Sequence, residues 1–134
     1  MKKPIKALFP DIDREVSIDL DDSRSPKTFQ AILENLPIET TITKWGDELY
    51  TERTHIKANE ENAKREVEYL DVAFWSEGNA LCLFYGPTPI TKDGRILAYS
   101  PVNIVGRIIP HHNEKEELLQ KIKDNTRVIF KLDS

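Results

Sequence analysis

Aromatic side chains that could line a ligand pocket lie in three parts of the chain. Trp45 and Tyr50 flank one turn, Trp75 ends a β-like run, and Phe84 and Tyr85 follow nine residues later. Aromatic rings supply the apolar area that small-molecule pockets use, while the polar edges of Trp and Tyr seek hydrogen-bond partners. Aromatic residues at strand spacing also fill barrel cores, so the pattern leaves both interpretations open.

Two polar residues are further candidates for such a pocket. Thr88 stands in the segment 86–89, whose two prolines fix φ and remove two amide donors, so this segment is stiff and cannot extend a sheet. Asn103 lies between Val102 and Ile104, where its amide either satisfies buried backbone groups or faces a cavity. The candidate ligand-binding residues are Tyr50, Trp75, Phe84, Thr88 and Asn103.

Two carboxylates, Glu48 and Asp71, lie close in sequence to the tryptophans. A pair of buried carboxyl groups with raised pKa values could transfer protons as acid and base. Nothing in the sequence places the two side chains together. Solvation at a turn and at a strand edge is therefore the favoured interpretation of both.

The sequence predicts no metal site and no cofactor. His111 and His112 are adjacent, and adjacent side chains on an extended chain point in opposite directions, which makes them poor ligands for one ion. Cys82, between Leu81 and Leu83, has no basic neighbour and is predicted to be a buried, unreactive thiol. The phosphate loop, the dinucleotide fingerprint and the nucleophile elbow do not occur.

Length and charge narrow the class of protein further. A chain of 134 residues predicts one domain over residues 1–134, and a net charge of −4 repels nucleic-acid backbones. A single cysteine excludes an intramolecular disulfide. The basic start is not followed by a long apolar run, and the stretch 80–85 is too short to cross a bilayer. We therefore expect a cytoplasmic protein that binds neither nucleic acid nor membrane.

Alternating apolar residues predict an antiparallel β protein. Val16, Ile18 and Leu20 occupy every second position, whereas residues 80–85 are apolar on both faces and should be covered on both. Gly78 is available for a positive φ in the turn that precedes residue 80. Strands are predicted over residues 5–9, 14–20, 38–45, 48–56, 66–69, 72–75, 80–85, 101–109 and 127–132, and residues 90–99 are predicted to form an excursion.

Two short helices are predicted from apolar residues at helical spacing. The first follows Ser25, whose hydroxyl suits an N-cap, and ends before Pro37. The second follows a capping box of Asn113 and Glu116 and carries an apolar stripe to Ile122. Two lone helices cannot cover a parallel sheet on both faces, so the elements favour an antiparallel sandwich or barrel.

Three segments, residues 45–50, 71–89 and 100–108, resemble a family of small bacterial and archaeal proteins with a cyclophilin-like fold. The middle segment is the most specific. The resemblance implies a mostly β protein, a closed antiparallel cyclophilin-like β-barrel with two short α-helices, and says little about activity. The residues at the family's spacings there are Trp75, Gly78, Ala80, Leu81, Cys82, Leu83, Phe84, Gly86, Thr88 and Pro89.

The fold does not by itself imply peptidyl-prolyl isomerase activity. That chemistry requires an arginine beside an aromatic slot, and the nearest fragment, Arg53-Thr54-His55, has a different order and spacing from the isomerase motif. Three hypotheses remain. The protein binds a small molecule or peptide in a cleft at the barrel surface; it is an enzyme, either an isomerase that uses Arg53 or Arg107 or a hydrolase; or it is a structural subunit whose edge strand pairs with a partner or in a homodimer.

Overall fold

Nine strands and two α-helices make up residues 1–133, the part of the chain that the computed structural model describes. A short 3₁₀ turn, Pro10–Ile12, joins the first two strands. The elements are β1 (Lys2–Phe9), β2 (Arg14–Asp21), α1 (Pro26–Asn35), β3 (Ile38–Trp45), β4 (Glu48–Thr51), β5 (Lys64–Val67), β6 (Asp71–Trp75), β7 (Ala80–Phe84), β8 (Ile96–Ile109), α2 (Glu114–Lys121) and β9 (Thr126–Leu132).

Eight of these strands close into an antiparallel barrel in the order β2-β1-β9-β3-β4-β7-β6-β8. Closure comes from the pairing of β8 with β2, in which Ile18 lies opposite Ile108. The ninth strand, β5, pairs with the first half of β8 outside this ring. The predicted fold class is confirmed. Neither helix of the described chain is long and apolar enough to cross a bilayer.

Two apolar clusters form on opposite faces of the barrel wall. On β7, Leu81 and Leu83 belong to the cluster that fills the barrel interior, whereas Cys82 and Phe84 belong to a smaller outer cluster. Strand alternation sends neighbouring side chains to opposite faces, so β7 is buried on both, as its sequence predicts. The outer cluster consists of Val67, Ala73, Cys82, Phe84, Ala98, Val102 and Ile104.

The strand β8 is 14 residues long and has two roles. Its second half pairs with β6 and with β2, and so completes the barrel. Its first half pairs with β5 and places Ala98 and Val102 over the outer cluster. The predicted excursion over residues 90–99 is therefore wrong from Ile96 onward, because the apolar side chains there pack on the outside of the barrel.

Other local predictions also need correction. The strand predicted over residues 48–56 ends at Thr51, whose hydroxyl accepts a hydrogen bond from the Leu81 amide. The positive φ expected at Gly78 occurs at Asn79 instead. Asn113 is left-handed and makes no side-chain cap, so the predicted capping box is absent from α2.

A distant carboxylate caps α1. Ser25 makes no side-chain cap hydrogen bond. The carboxylate of Glu61 accepts hydrogen bonds from the backbone N–H groups of Lys27 (3.1 Å) and Thr28 (2.7 Å) and from the Thr28 hydroxyl (2.7 Å). The predicted Ser25 cap is thus wrong. The first turn of the helix is fixed by a residue of the loop between β4 and β5.

Replacing Glu61 with alanine tests this cap against a neighbouring residue. Glu61→Ala leaves three donors of α1 without their protein partner, and we expect it to lower the free energy of unfolding by about 1–2 kcal/mol. The exposed Glu60 makes no such bond, so Glu60→Ala should stay within about 0.5 kcal/mol of the wild type. Urea-induced unfolding measures both. Equal losses in the two variants would contradict the assignment of the cap.

Candidate functional site

A cavity of about 390 Å³ lies on the outer face of the barrel. Its walls come from the end of β3, from β4, β6 and β7, and from the first half of β8. The volume falls within the range of natural small-molecule pockets. The lining residues are Trp45, Glu48, Tyr50, Trp75, Cys82, Ala98, Tyr99, Ser100 and Val102.

A tight turn between β3 and β4 positions one wall of the cavity. Gly46 has φ +60°, and a Cβ there would lie 2.8 Å from the Pro87 oxygen, so glycine is required by both conformation and space. The Asp47 N–H donates to the Pro87 oxygen at 2.8 Å. The stiff segment 86–89 therefore supports the turn that presents Trp45 and Glu48.

Three aromatic side chains stand together at the cavity. The ring of Tyr99 meets both indoles edge to face, with centroid distances of 6.2 Å to Trp45 and 6.1 Å to Trp75. Tyr99 is 70% exposed, so it contributes little to the core. The indole N–H of Trp75 donates to the Ser100 hydroxyl, and the ring packs so closely on Gly78 that a Cβ at that position would collide with it.

Glu48 is the ionisable residue whose burial most affects the chemistry of the cavity. Its side chain is 5% exposed, and its Oε1 atom is buried without a hydrogen-bond partner. Burial raises the pKa of Glu48 to about 7, and the neighbouring Cys82 thiol offsets part of that rise. At neutral pH the group can therefore accept a hydrogen bond as carboxylate or donate one as carboxylic acid.

The interpretation of Glu48 and Asp71 as solvated carboxylates is wrong for both. Asp71 is 1% exposed, and burial raises its pKa. Its Oδ2 accepts a hydrogen bond from the Glu68 amide at 2.8 Å, and it lines a separate pocket of about 90 Å³ that also contains Arg107. The structure therefore does not bring the two carboxyl groups together as an acid–base pair.

The structure brings some of the predicted site residues together. Tyr50 and Trp75 both line the cavity. Phe84 is fully buried in the outer cluster, in which Tyr50 and Trp75 also pack, so it supports the wall without forming part of its surface. Thr88 does not line the cavity. Its hydroxyl donates to the Leu97 oxygen at 2.6 Å, and the residue is 5% exposed.

Asn103 also lies away from the cavity. Its Oδ1 accepts from the Glu61 amide at 2.8 Å, and its Nδ2 donates to the Thr28 hydroxyl at 3.0 Å and to the Asn59 oxygen at 2.9 Å. The side chain is fully buried and its hydrogen-bonding groups are used within the protein. Asn103 therefore holds the loop that carries the cap of α1.

Sequence reasoning missed Tyr99 and Ser100 because they fell within the predicted excursion. The sequence does contain a signal for this strand, because Ile96, Ala98 and Val102 recur at even spacing, which is typical of a strand with one buried face. The described residues hold no group of three or more side chains able to bind a metal ion. The exposed residues His111 and His112 lie before α2, outside the cavity lining.

Comparison with known proteins agrees with this architecture. A family model described as cyclophilin-like matches residues 3–131. The solution structure of the hypothetical protein AF2241 from Archaeoglobus fulgidus has a TM-score of 0.79 and 35% identity, over 98% of this chain and 95% of that one. The structure of McbB in complex with tryptophan has a TM-score of 0.73 over 97% of this chain and 45% of that one, but at 17% identity it shows a likeness of fold alone.

No protein with a curated description matches the sequence. The family model, by contrast, covers nearly the whole chain, and the similarity to AF2241 extends from end to end in both proteins. The chain belongs to the cyclophilin-like family.

Proposed function

We propose that this protein binds a small, flat organic molecule in the cavity on the outer face of the barrel. The observation that carries the proposal is the lining itself. Four aromatic rings, those of Trp45, Tyr50, Trp75 and Tyr99, line a space of about 390 Å³, and the buried carboxyl group of Glu48 belongs to the same lining. Pockets for small ligands are mostly apolar and hold a few well-placed polar groups, and this lining has that composition.

The exposure of Tyr99 supports a binding role. A large aromatic side chain that is 70% exposed contributes little to folding, yet its ring stays between two indoles. A flat ligand that enters the cavity would cover the ring and remove apolar area from water, which is favourable. The size of the cavity suits a small molecule better than an extended peptide.

The cost of burying Glu48 also supports a binding role. A carboxylate buried without a strong partner reduces stability, and a neutral side chain of the same shape would remove the part of the penalty that comes from the charge. Groups that are unfavourable for folding occur most often where a protein binds or transforms another molecule. The aromatic wall and the carboxyl group together define a site for a ring system with a polar substituent.

The structure gives less support to the hypotheses that the protein is an isomerase or a structural subunit. Arg53 donates to the Glu77 oxygen and Arg107 to the Tyr69 oxygen, and neither belongs to the cavity lining, so no arginine meets an aromatic slot there. The outermost strand, β5, has only four residues, of which Lys64, Arg65 and Glu66 are exposed and charged. Short charged edges oppose strand pairing between molecules, so a homodimer through β5 is disfavoured.

The same fold occurs in McbB, whose structure was determined in complex with tryptophan. The part of McbB that shares this fold is 45% of its chain, so the tryptophan complex describes McbB as a whole. The position of the tryptophan in McbB is not carried over to this chain, since the identity of 17% supports the fold alone.

Binding can be followed directly, because both tryptophans of the protein line the cavity. We expect members of a panel of naphthalene, quinoline and indole fragments to change the tryptophan fluorescence in a saturable way. Tyr99→Ala should weaken the binding of those fragments about fivefold to tenfold, because it removes one ring of the wall. Tyr69→Ala is the matched control, since Tyr69 is 48% exposed and lies outside the lining, and it should change affinity less than twofold.

Two results would contradict the proposal. One is a panel in which no fragment changes the fluorescence of the folded wild type. The other is an equal loss of affinity in Tyr99→Ala and Tyr69→Ala, which would mean that the fragments bind elsewhere on the surface.

The stability penalty of Glu48 is testable separately. Its folded-state pKa of about 7 lies above the ordinary value of 4.5, so the folded protein releases this proton at a higher pH than the unfolded chain does. Stability from this group is therefore lost as the pH rises from about 4.5 to 7, and the full penalty remains above that range. We expect the free energy of unfolding of Glu48→Gln to exceed that of the wild type by about 2–3 kcal/mol at pH 8 and by less than about 1 kcal/mol at pH 5.

Urea-induced unfolding of both proteins at the two pH values measures this difference. Asp71 and Glu114, whose pKa values burial also raises, are present in both proteins and cancel in the comparison. A difference between wild type and variant that does not depend on pH would show that Glu48 is not buried as an ionisable group.

A further inference from the structure

We propose that the ligand carries a positively charged nitrogen with an N–H group, which pairs with Glu48 while the aromatic rings enclose the rest of the molecule. This inference deepens the proposed function and rests on it. The class of ligand is therefore an organic ammonium or protonated heterocycle attached to a flat ring.

The first support is the position of the carboxyl group. Glu48 projects from β4 on the same side as Tyr50, and both belong to the cavity lining, whereas Leu49 between them packs in the barrel interior. The Oε1 atom of Glu48 is buried and has no hydrogen-bond partner in the protein. Apart from the weak thiol donor of Cys82, a donor for this carboxyl group would have to come from a molecule in the cavity that Glu48 lines.

The second support is that the nearby lysines are engaged elsewhere. Lys44, one position before Trp45, donates from Nζ to the Leu119 oxygen at 2.8 Å. Lys115 pairs with Asp47, the residue before Glu48, at 3.3 Å. Among the described lining residues there is no lysine, arginine or histidine. The protein thus places cations around the turn but none in the cavity.

The third support is the character of the walls. The faces of Trp and Tyr rings carry negative potential and attract cations, most strongly where water is excluded. Four such rings and one carboxyl group make the cavity favourable for positive charge and unfavourable for an anion. A neutral ligand would instead accept a hydrogen bond from the carboxylic acid form of Glu48, and comparing a charged with a neutral probe separates these two cases.

The test compares two probes of nearly the same shape, 2-naphthylmethylamine, an ammonium ion at pH 8, and 2-naphthylmethanol, which is neutral. Each is titrated into the full chain at pH 8, and the indole N–H signals of Trp45 and Trp75 are followed by NMR. We expect the wild type to bind the ammonium about tenfold more tightly than the alcohol. In Glu48→Gln the two affinities should agree within about threefold, because the side chain keeps its shape but loses its charge.

Each outcome decides a different point. Equal affinity for both probes in the wild type, or a preference for the alcohol, overturns the inference about positive charge and leaves the proposed binding site intact. A preference for the ammonium that survives in Glu48→Gln also overturns it, since the charge would then be recognised by another group. If neither probe moves either indole signal and the fragment panel also fails, the proposed function itself is wrong.

Discussion

The burial of β7 on both faces is the constraint on which the rest of this structure depends. Leu81 and Leu83 complete the barrel interior, and an antiparallel barrel would ordinarily leave the opposite face to water. Here that face carries Cys82 and Phe84, so it needs a cover. The first half of β8 supplies the cover, and the cavity is the space that remains between this cover and the strands β4, β6 and β7.

Local sequence patterns predicted the strands whose own residues show which faces are buried. Val16, Ile18 and Leu20 alternate on β2, which indicates one buried face, and the segment 80–85 is apolar throughout, which indicates two. Prediction was wrong where a segment packs on the outside of the barrel. The segment from Ile96 to Tyr99 follows a turn with three exposed charged residues, and its apolar spacing indicates a strand without indicating that this strand covers β7.

The candidate site was predicted only in part, for a related reason. Trp75 and Tyr50 could be selected because aromatic type alone suggests a pocket, and both line the cavity. The sequence singles out Glu48 as a carboxylate near the tryptophans but favours its solvation, because the β8 residues that line the same cavity lie about fifty residues further along the chain. Asn103 is the converse case: a polar residue on an apolar strand suggests either a site or a structural role, and its hydrogen-bond partners lie in α1 and in the loop before β5.

Among residues 1–133, three carboxyl side chains are buried, and comparing them explains why Glu48 is the unusual one. Asp71 accepts a hydrogen bond from the backbone N–H of Glu68, which fixes the turn before β6. Glu114 accepts a hydrogen bond from the Tyr85 hydroxyl at 2.9 Å, which holds the start of α2 against the barrel. Each of these two groups thus has an N–H or O–H donor and a structural reason for its burial, although Oε2 of Glu114 is, like Oε1 of Glu48, buried without a partner.

Glu48 has only the weak thiol donor of Cys82 beside it, and no other element of the barrel is held by its carboxyl group. The turn that presents it is fixed instead by the Gly46–Pro87 contact and by the backbone hydrogen bond of Asp47, neither of which needs a carboxyl group at the next position. A rigid support, a buried acid without a structural partner and an enclosing aromatic wall are the features of a preorganised binding site. The folding of this chain accounts for the first of these features, and the proposed ligand would account for the other two.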